Sequence, residues 1–290
     1  MSVFETLRWD LRQRLIFLEA HLIWAGAVAP ADLRKTFGVT AAQADKDFAL
    51  YQEQCPGNLH FDVHAKHYSA ADRFEPRLLH GTAQEFLHVL HAHGVKSGGL
   101  DSPLAVVATG VASAEVLQRP EREFDVRILQ RVTTAIREQR WLLADYQSLT
   151  HPAPRSLRLA PHALAYTGRW HVRAYSETHA AYRDFLLVRI YGVPELQGRC
   201  EKPPHEDWDW RNFVHVKLGA HPGLTAAQKR VIEADYGMQQ GILERTVRVA
   251  LVPYYLQMLS LSRESADRAP AEQPLVLLNR AEIENYNRFS

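Results

Sequence analysis

The strongest constraint on this chain is the order of breaks and amphipathic runs in its first 75 residues. Residues 5–24, ETLRWDLRQRLIFLEAHLIW, set Leu7, Leu11, Leu15, Leu18 and Leu22 at helical spacing, and Gly26 ends the run. Pro30 starts a second helix that reaches Phe37, since a proline in the first turn forfeits no helical hydrogen bond. Gly38-Val39 stops it, and Thr40 opens a third helix, TAAQADKDFALYQEQ, with Gln43 spaced to complete a capping box. Cys55-Pro56-Gly57-Asn58 breaks that helix, and LHFDVHAKHYSA reads as a hairpin turning near His64–Lys66. Helix, helix, tight glycine turn, helix and hairpin is the order of a winged helix-turn-helix.

The third helix tests this reading by angle. With Ala42 at zero and ~100° per residue, Gln43 falls at ~100° and Lys46 at ~40°, while Ala41, Ala44, Phe48 and Tyr51 fall between ~180° and ~260°. One face is apolar; the other offers small Ala42 beside Gln43, Lys46 and Glu53. A slim helix carrying an amide for adenine and a cation for guanine or phosphate is what major-groove reading needs. Thr40, Ala42, Gln43 and Lys46 are therefore the expected groove contacts, and His64 and Lys66 of the wing the expected backbone or minor-groove contacts. Charge speaks against it: residues 1–75 hold eight basic groups and ten acids, and phosphate contacts normally supply much of the affinity. A helical domain used for protein contacts stays open.

Residues 76–120 read as a helical linker: HGTAQEFLHVLHAHG as a helix, KSGGLDSP as a small-residue break, and LAVVATGV as an extended piece. Residues 121–139 form an amphipathic helix with Phe124, Ile128, Val132 and Ile136 on one stripe. Strands are expected at 141–146, 156–159, 163–166, 168–175 and 184–191, five short strands of the size of an Sm- or SH3-like barrel over 121–200. From residue 201 the pattern becomes α+β.

The middle segment is also where charge collects. The whole chain has net charge +1, but residues 121–200 carry twelve arginines, no lysine and eight acids. The guanidinium is a planar fork matched to phosphate and carboxylate, so an all-arginine segment suggests anion recognition; arginine-rich codon usage is the plainer cause. In GRWHVRAYSETHAAYRDFLLVRI, residues 168–190, alternation puts Trp170, Val172 and Ala174 on one face and His171, Arg173 and Tyr175 on the other. Arg183, Phe185, Leu187 and Arg189 share one parity on the partner strand. With Ser148, Arg158 and His162 from earlier strands, His171, Arg183 and Arg189 could line one cationic pocket suited to a phosphodiester. The alternative is ordinary surface bridges to Asp145, Glu177 and Asp184.

Enzyme signatures are missing: there is no nucleophile elbow, phosphate loop or zinc spacing. His88-Val-Leu-His91 has metal-compatible spacing, yet nothing nearby completes a site. No enzymatic activity, cofactor or metal is expected. The two cysteines, Cys55 and Cys200, fit no disulfide framework, no apolar run approaches a membrane span, and cytoplasmic residence is the default.

The stretches YQS (146–148), RLAPHAL (158–164), RWHVRAY (169–175) and YRDFLLVRI (182–190) resemble a WYL domain, with Trp170-His171-Val172 in place of the naming Trp-Tyr-Leu. Residues 214–238, VHVKLGAHPGLTAAQKRVIEADYGM, are similar to the C-terminal extension called WCX. Nearly the whole chain resembles the BrxR- and CapW-like transcriptional repressors of phage-defence operons. That resemblance implies an α+β multidomain protein: winged helix-turn-helix (1–75), helical linker (76–120), WYL barrel (121–200) and WCX dimerisation domain (201–290). It implies a homodimer on the inverted-repeat operator of double-stranded DNA in its own operon, and a nucleotide or oligonucleotide ligand sensed by the WYL pocket. An activator or constitutive repressor with a purely structural barrel, and a nucleotide-acting enzyme, remain the competing classes.

Overall fold

The computed structural model describes residues 3–94, 102–117, 120, 122–201, 204–261 and 268–286, and divides into two compact units, residues 1–118 and 119–290. Most of the small-residue break expected near 96–103 lies outside the described residues.

In the first unit, α1 (Trp9–Ala20) runs into a π turn, His21–Ala25, that Gly26 ends in the left-handed region at φ 79°. β1 (Ala27–Val28), α2 (Pro30–Phe37) and α3 (Ala41–Gln54) follow. Gly38 supplies a second left-handed stop at φ 66°, a conformation glycine adopts without Cβ strain. β2 (Leu59–Asp62) and β3 (His67–Ala70) form the wing, and β1 pairs with β3 to complete a three-stranded sheet. Leu15, Phe17, Leu18, Leu33, Ala44, Phe48 and Tyr51 make one core, so the three helices are locked by side chains from each. Thr40 caps α3 by accepting from the Gln43 amide, but the Gln43 side chain does not reach back. It turns to Asp47 instead, leaving the expected capping box half made.

α4 (Ala83–Gly94) and α5 (Pro103–Val111) pack against this head. The extended reading of LAVVATGV is corrected: these residues are helical. Pro103 sits in the first turn, and Ala105, Val107 and Ala108 are buried, so packing of a small-residue face outweighs the β preference of the valines.

The second unit opens with α6 (Val126–Glu138), whose Ile128, Val132 and Ala135 cover one face of a five-stranded sheet. The strands are β4 (Arg140–Tyr146), β5 (Arg155–Tyr166), β6 (Trp170–Ser176), β7 (Ala181–Leu186) and β8 (Ile190–Arg199), in the order β7-β6-β5-β4-β8. β5 is one strand where two were expected, because a bulge between Pro161 and Ala163 absorbs the proline. The expected Sm/SH3-like barrel is not closed. β7 and β8 are opposite edges without a shared ladder, and a 3-10 turn, Leu187–Arg189, carries the chain between them with Leu187 and Val188 buried. That edge is finished by apolar burial rather than by backbone pairing.

The C-terminal part comprises α7 (Trp208–Arg211), β9 (Phe213–Ala220), α8 (Ala226–Asp235), β10 (Ile242–Arg248), α9 (Val252–Met258), β11 (Leu275–Leu277) and α10 (Arg280–Glu284). Its sheet has the order β10-β9-β11, and its core is built on Val216, Leu218, Val252, Leu261 and Ile283. Thr225 and Gln228 make a complete capping box at the start of α8. No residue of α8 is fully buried.

Candidate nucleic-acid interface and ligand cavity

The surface of α3 is organised from beneath by a buried charge. Asp47 is 1% exposed and Arg14 of α1 is 7% exposed. Arg14 Nε donates to Asp47 Oδ2 at 2.6 Å, and Asp47 Oδ1 accepts from Gln43 Nε2 at 2.8 Å. A buried carboxylate needs such partners to offset lost hydration. The Gln43 amide is thereby held by one N–H, which leaves its other N–H and its carbonyl oxygen for an edge presented to them. Ala42 and Lys46 are exposed beside it. Ala41, expected on the buried side, is exposed, while Asp47 takes a buried place. In the wing, Asp62 Oδ1 accepts from the amides of His64 and Ala65, at 2.8 and 2.9 Å, and Lys66 adopts φ 55°. This Asx-type turn presents exposed His64 and Lys66 at the tip. Thr40, exposed, is committed to capping.

Beneath the same core, Glu19 is fully buried and accepts from Tyr51 Oη at 2.8 Å and from the amides of Arg77, Leu78 and Leu79 at 2.8–3.0 Å. Burial, with Glu19 next in effect, pushes the Tyr51 hydroxyl well above its ordinary range, so it stays a donor.

The six residues expected in one WYL pocket do not form one cluster. Ser148 and Arg183 line a cavity of about 240 Å³ on the sheet face shared with Leu157 and Phe185, together with Thr150, His151, Arg155 and His179. Arg158 lies on the opposite face, because it alternates with Leu157 and Leu159 of the core. There its guanidinium donates to Gln197 at 3.0 Å and Glu177 at 2.5 Å and sits 4.4 Å from the Trp141 ring. His162 is buried against Asp207, Nε2 to Oδ2 2.9 Å. His171 is buried, with Nε2 3.1 Å from Thr167 Oγ1 and its ring 4.8 Å from that of Tyr254. Arg189 is half-buried on the 3-10 turn, its carbonyl accepting from Gln147 N.

The buried arginine of the hairpin is Arg173, and it is structural. Nε and Nη2 grip Asp207 at 2.7 and 2.9 Å, and Nη1 reaches Asp184 at 3.4 Å. Asp184 accepts from Tyr254 Oη at 3.2 Å, and Asp207 caps α7 through the Trp210 amide. Burial opposes the Asp207 charge, but the His162 and Arg173 hydrogen bonds outweigh it and hold the carboxyl at about 2. Asp184 goes the other way: burial raises it despite Arg173. Asp207 and Tyr254 lie beyond the WYL segment, and no local pattern marks them.

Arg155 and Arg183 differ in kind. Among the described residues neither forms an ion pair within 4 Å, whereas Arg158 and Arg173 do. Burial, then the charges of Arg183 and His151, lower the His179 pKa. Arg155, His151 and His179 were missed by sequence reading. The parity of Arg155 with Leu157 was the available signal for the first; turns carry the other two.

Comparison with known proteins fits this layout. The sequence model of the BrxR transcriptional regulator winged helix-turn-helix domain matches residues 10–92, that of the WYL domain residues 127–194, and that of the BrxR transcriptional regulator C-terminal dimerization domain residues 213–283. A winged head, a WYL sheet and a dimerization domain in one chain define a multidomain transcriptional regulator. DNA-binding transcriptional repressors CapW match almost end to end. That of Pseudomonas aeruginosa is 34% identical over 290 residues, 97% of this chain and 93% of the relative. That of Stenotrophomonas maltophilia is 32% identical over 97% of this chain and 94% of the relative, and that of Escherichia coli 32% over 95% and 91%. The chain belongs to the CapW family of DNA-binding transcriptional repressors.

Proposed function

We propose that the chain is a ligand-controlled repressor that binds, as a homodimer, an inverted-repeat operator of its own phage-defence operon. Ala42, Gln43 and Lys46 of α3 enter the major groove, Thr40 marks the helix start at the backbone, and His64 and Lys66 of the wing touch phosphate or the minor groove. The C-terminal domain joins the protomers. Exposed Val231 of α8 and Met258 of α9 support an apolar contact there. A phosphate-bearing ligand seats at Ser148, Arg155 and Arg183, and it regulates DNA binding only if it binds the two dimer states unequally. Arg158, His162, His171 and Arg189 frame the sheet around that seat.

The observation that carries the ligand reading is the contrast between arginines. Arg158 and Arg173 are neutralised by carboxylates, while Arg155 and Arg183 line a cavity whose one carboxylate, Asp184, is bonded to Arg173. A gel shift with the DNA upstream of the gene, with and without 5′-phosphorylated short oligonucleotides, tests it. The wild type should change its affinity with the oligonucleotide, and an Arg155→Ala/Arg183→Ala double variant should bind DNA but ignore it.

A second reading, a repressor whose WYL sheet is only structural, draws on the Arg173–Asp207–His162 network, which spends three polar residues as internal braces. On that reading the double variant regulates like the wild type.

A further inference from the structure

β7 is an edge strand, and its two faces open onto different cavities. The inner face bears the cationic cavity just described. On the outer face lies a second, larger cleft of about 540 Å³, between the hairpin and the C-terminal domain. Its walls include Tyr182, Asp209, Ala250, Tyr254 and Tyr286. Arg183 and Asp184 line both spaces, so the edge of β7 is a common rim.

The chemistry of the two spaces is complementary. Arg155, His151, Ser148 and Thr150 are donors suited to phosphate oxygens. The outer cleft offers aromatic rings, the Arg173 guanidinium and the carboxylate of Asp209, whose Oδ2 lies 3.8 Å from Arg173 Nη2 and which, while ionised, can only accept. Its volume lies within the range of small-ligand sites. Aromatic rings stack on bases of any sequence, and a carboxylate selects a base that presents an amino group.

We propose that the outer cleft is a nucleobase subsite, so that one nucleotide places its phosphate in the inner cavity and an amino-bearing base against Tyr182 in the outer cleft, crossing the β7 edge at Arg183. This deepens, and rests on, the reading of the inner cavity as a phosphate site. It names the ligand as a 5′-phosphorylated nucleotide or the 5′ end of an oligonucleotide. It also gives the ligand direct contact with the C-terminal domain, through the cleft walls from Ala250 and Tyr254.

Calorimetric titration of the full-length protein with AMP, the dinucleotide pApA, ribose 5-phosphate and inorganic phosphate tests the proposal. AMP, pApA or both should bind more tightly than ribose 5-phosphate. Tyr182→Ala should weaken that binding about tenfold, from lost stacking, and leave ribose 5-phosphate binding unchanged. Tyr182→Phe should restore it. Arg155→Ala should weaken all of the probes that bind. AMP or pApA binding untouched by Tyr182→Ala yet weakened by Arg155→Ala overturns the base subsite and spares the phosphate site. Nucleotide binding no tighter than ribose 5-phosphate does the same. Binding of none of the four, or indifference to Arg155→Ala, overturns the phosphate site itself. Tighter pApA than AMP assigns the ligand to an oligonucleotide end; equal affinity assigns it to a mononucleotide.

Discussion

Arg14 and Asp47 form a buried ion pair, Nε to Oδ2 2.6 Å, that ties α1 to the helix whose outer face bears Gln43 and Lys46. The pair raises the Arg14 pKa, chiefly through the Asp47 hydrogen bond, so its charge is permanent. Replacing Asp47 with alanine leaves that buried cation with only the longer contact to half-exposed Asp10, Nη1 to Oδ2 3.3 Å. The expected loss is about 3–5 kcal/mol of stability, as for other broken buried pairs. Urea denaturation of the full chain checks it; a loss within the range of surface substitutions would show that Arg14 escapes to water.

On the proposed reading, Gln43 and Lys46 divide the work of reading DNA. Gln43→Ala should relax base preference with little change in salt dependence. Lys46→Ala should weaken every sequence and reduce the slope of log K against log salt by about 1. Fluorescence anisotropy across a salt series separates the two. Wild-type behaviour of both variants would remove α3 from the groove.

His179 reports on the cavity. Burial and the positive neighbours Arg183 and His151 lower its pKa from the usual 6.5. An anion seated beside Arg183 should move it upward, and NMR titration of the imidazole with and without inorganic phosphate reads the shift. A downward or absent shift would place the anion elsewhere.

Asp207 sets an acid limit on the second unit. Its carboxyl is held at about 2 against an ordinary 3.8. A depressed folded-state pKa gives stability that is full above the unfolded value and is lost as pH falls through the folded one, here from about 4 toward 2. The shift corresponds to about 2 kcal/mol by linkage. Asp184, raised by burial, acts with the opposite sign. Asp207→Asn should flatten stability against pH across this window, measured by thermal unfolding between pH 2 and 5.

Val231 lies on α8, 58% exposed, in the region matching a dimerization domain. Val231→Glu should shift the protein toward monomer in sedimentation and weaken operator binding cooperatively with dilution. An unchanged mass would move the interface off α8.

What could be read without coordinates was local. Gly26, Gly38 and Thr40 announce the boundaries of α1, α2 and α3, because backbone sterics and capping act over a few residues. The stripe Ile128–Val132 announces α6 in the same way. Alternation put Arg173 and Val172 on opposite faces of β6, and they lie so. LAVVATGV failed because its valines favour a strand while burial of Ala105 and Ala108 favours a helix, and only the packing partner decides between them.

The amino-acid sequence by itself determined the order of the three head helices and the wing, and the family, both carried by residues close together along the chain. Tertiary structure alone decided which arginines are paired with carboxylates. Arg173 is neutralised by Asp207, 34 positions away, and Arg158 by Glu177, while Arg155 and Arg183 meet across strands at a cavity. Charge neutralisation depends on distance in space, and composition counts all twelve arginines of residues 121–200 alike.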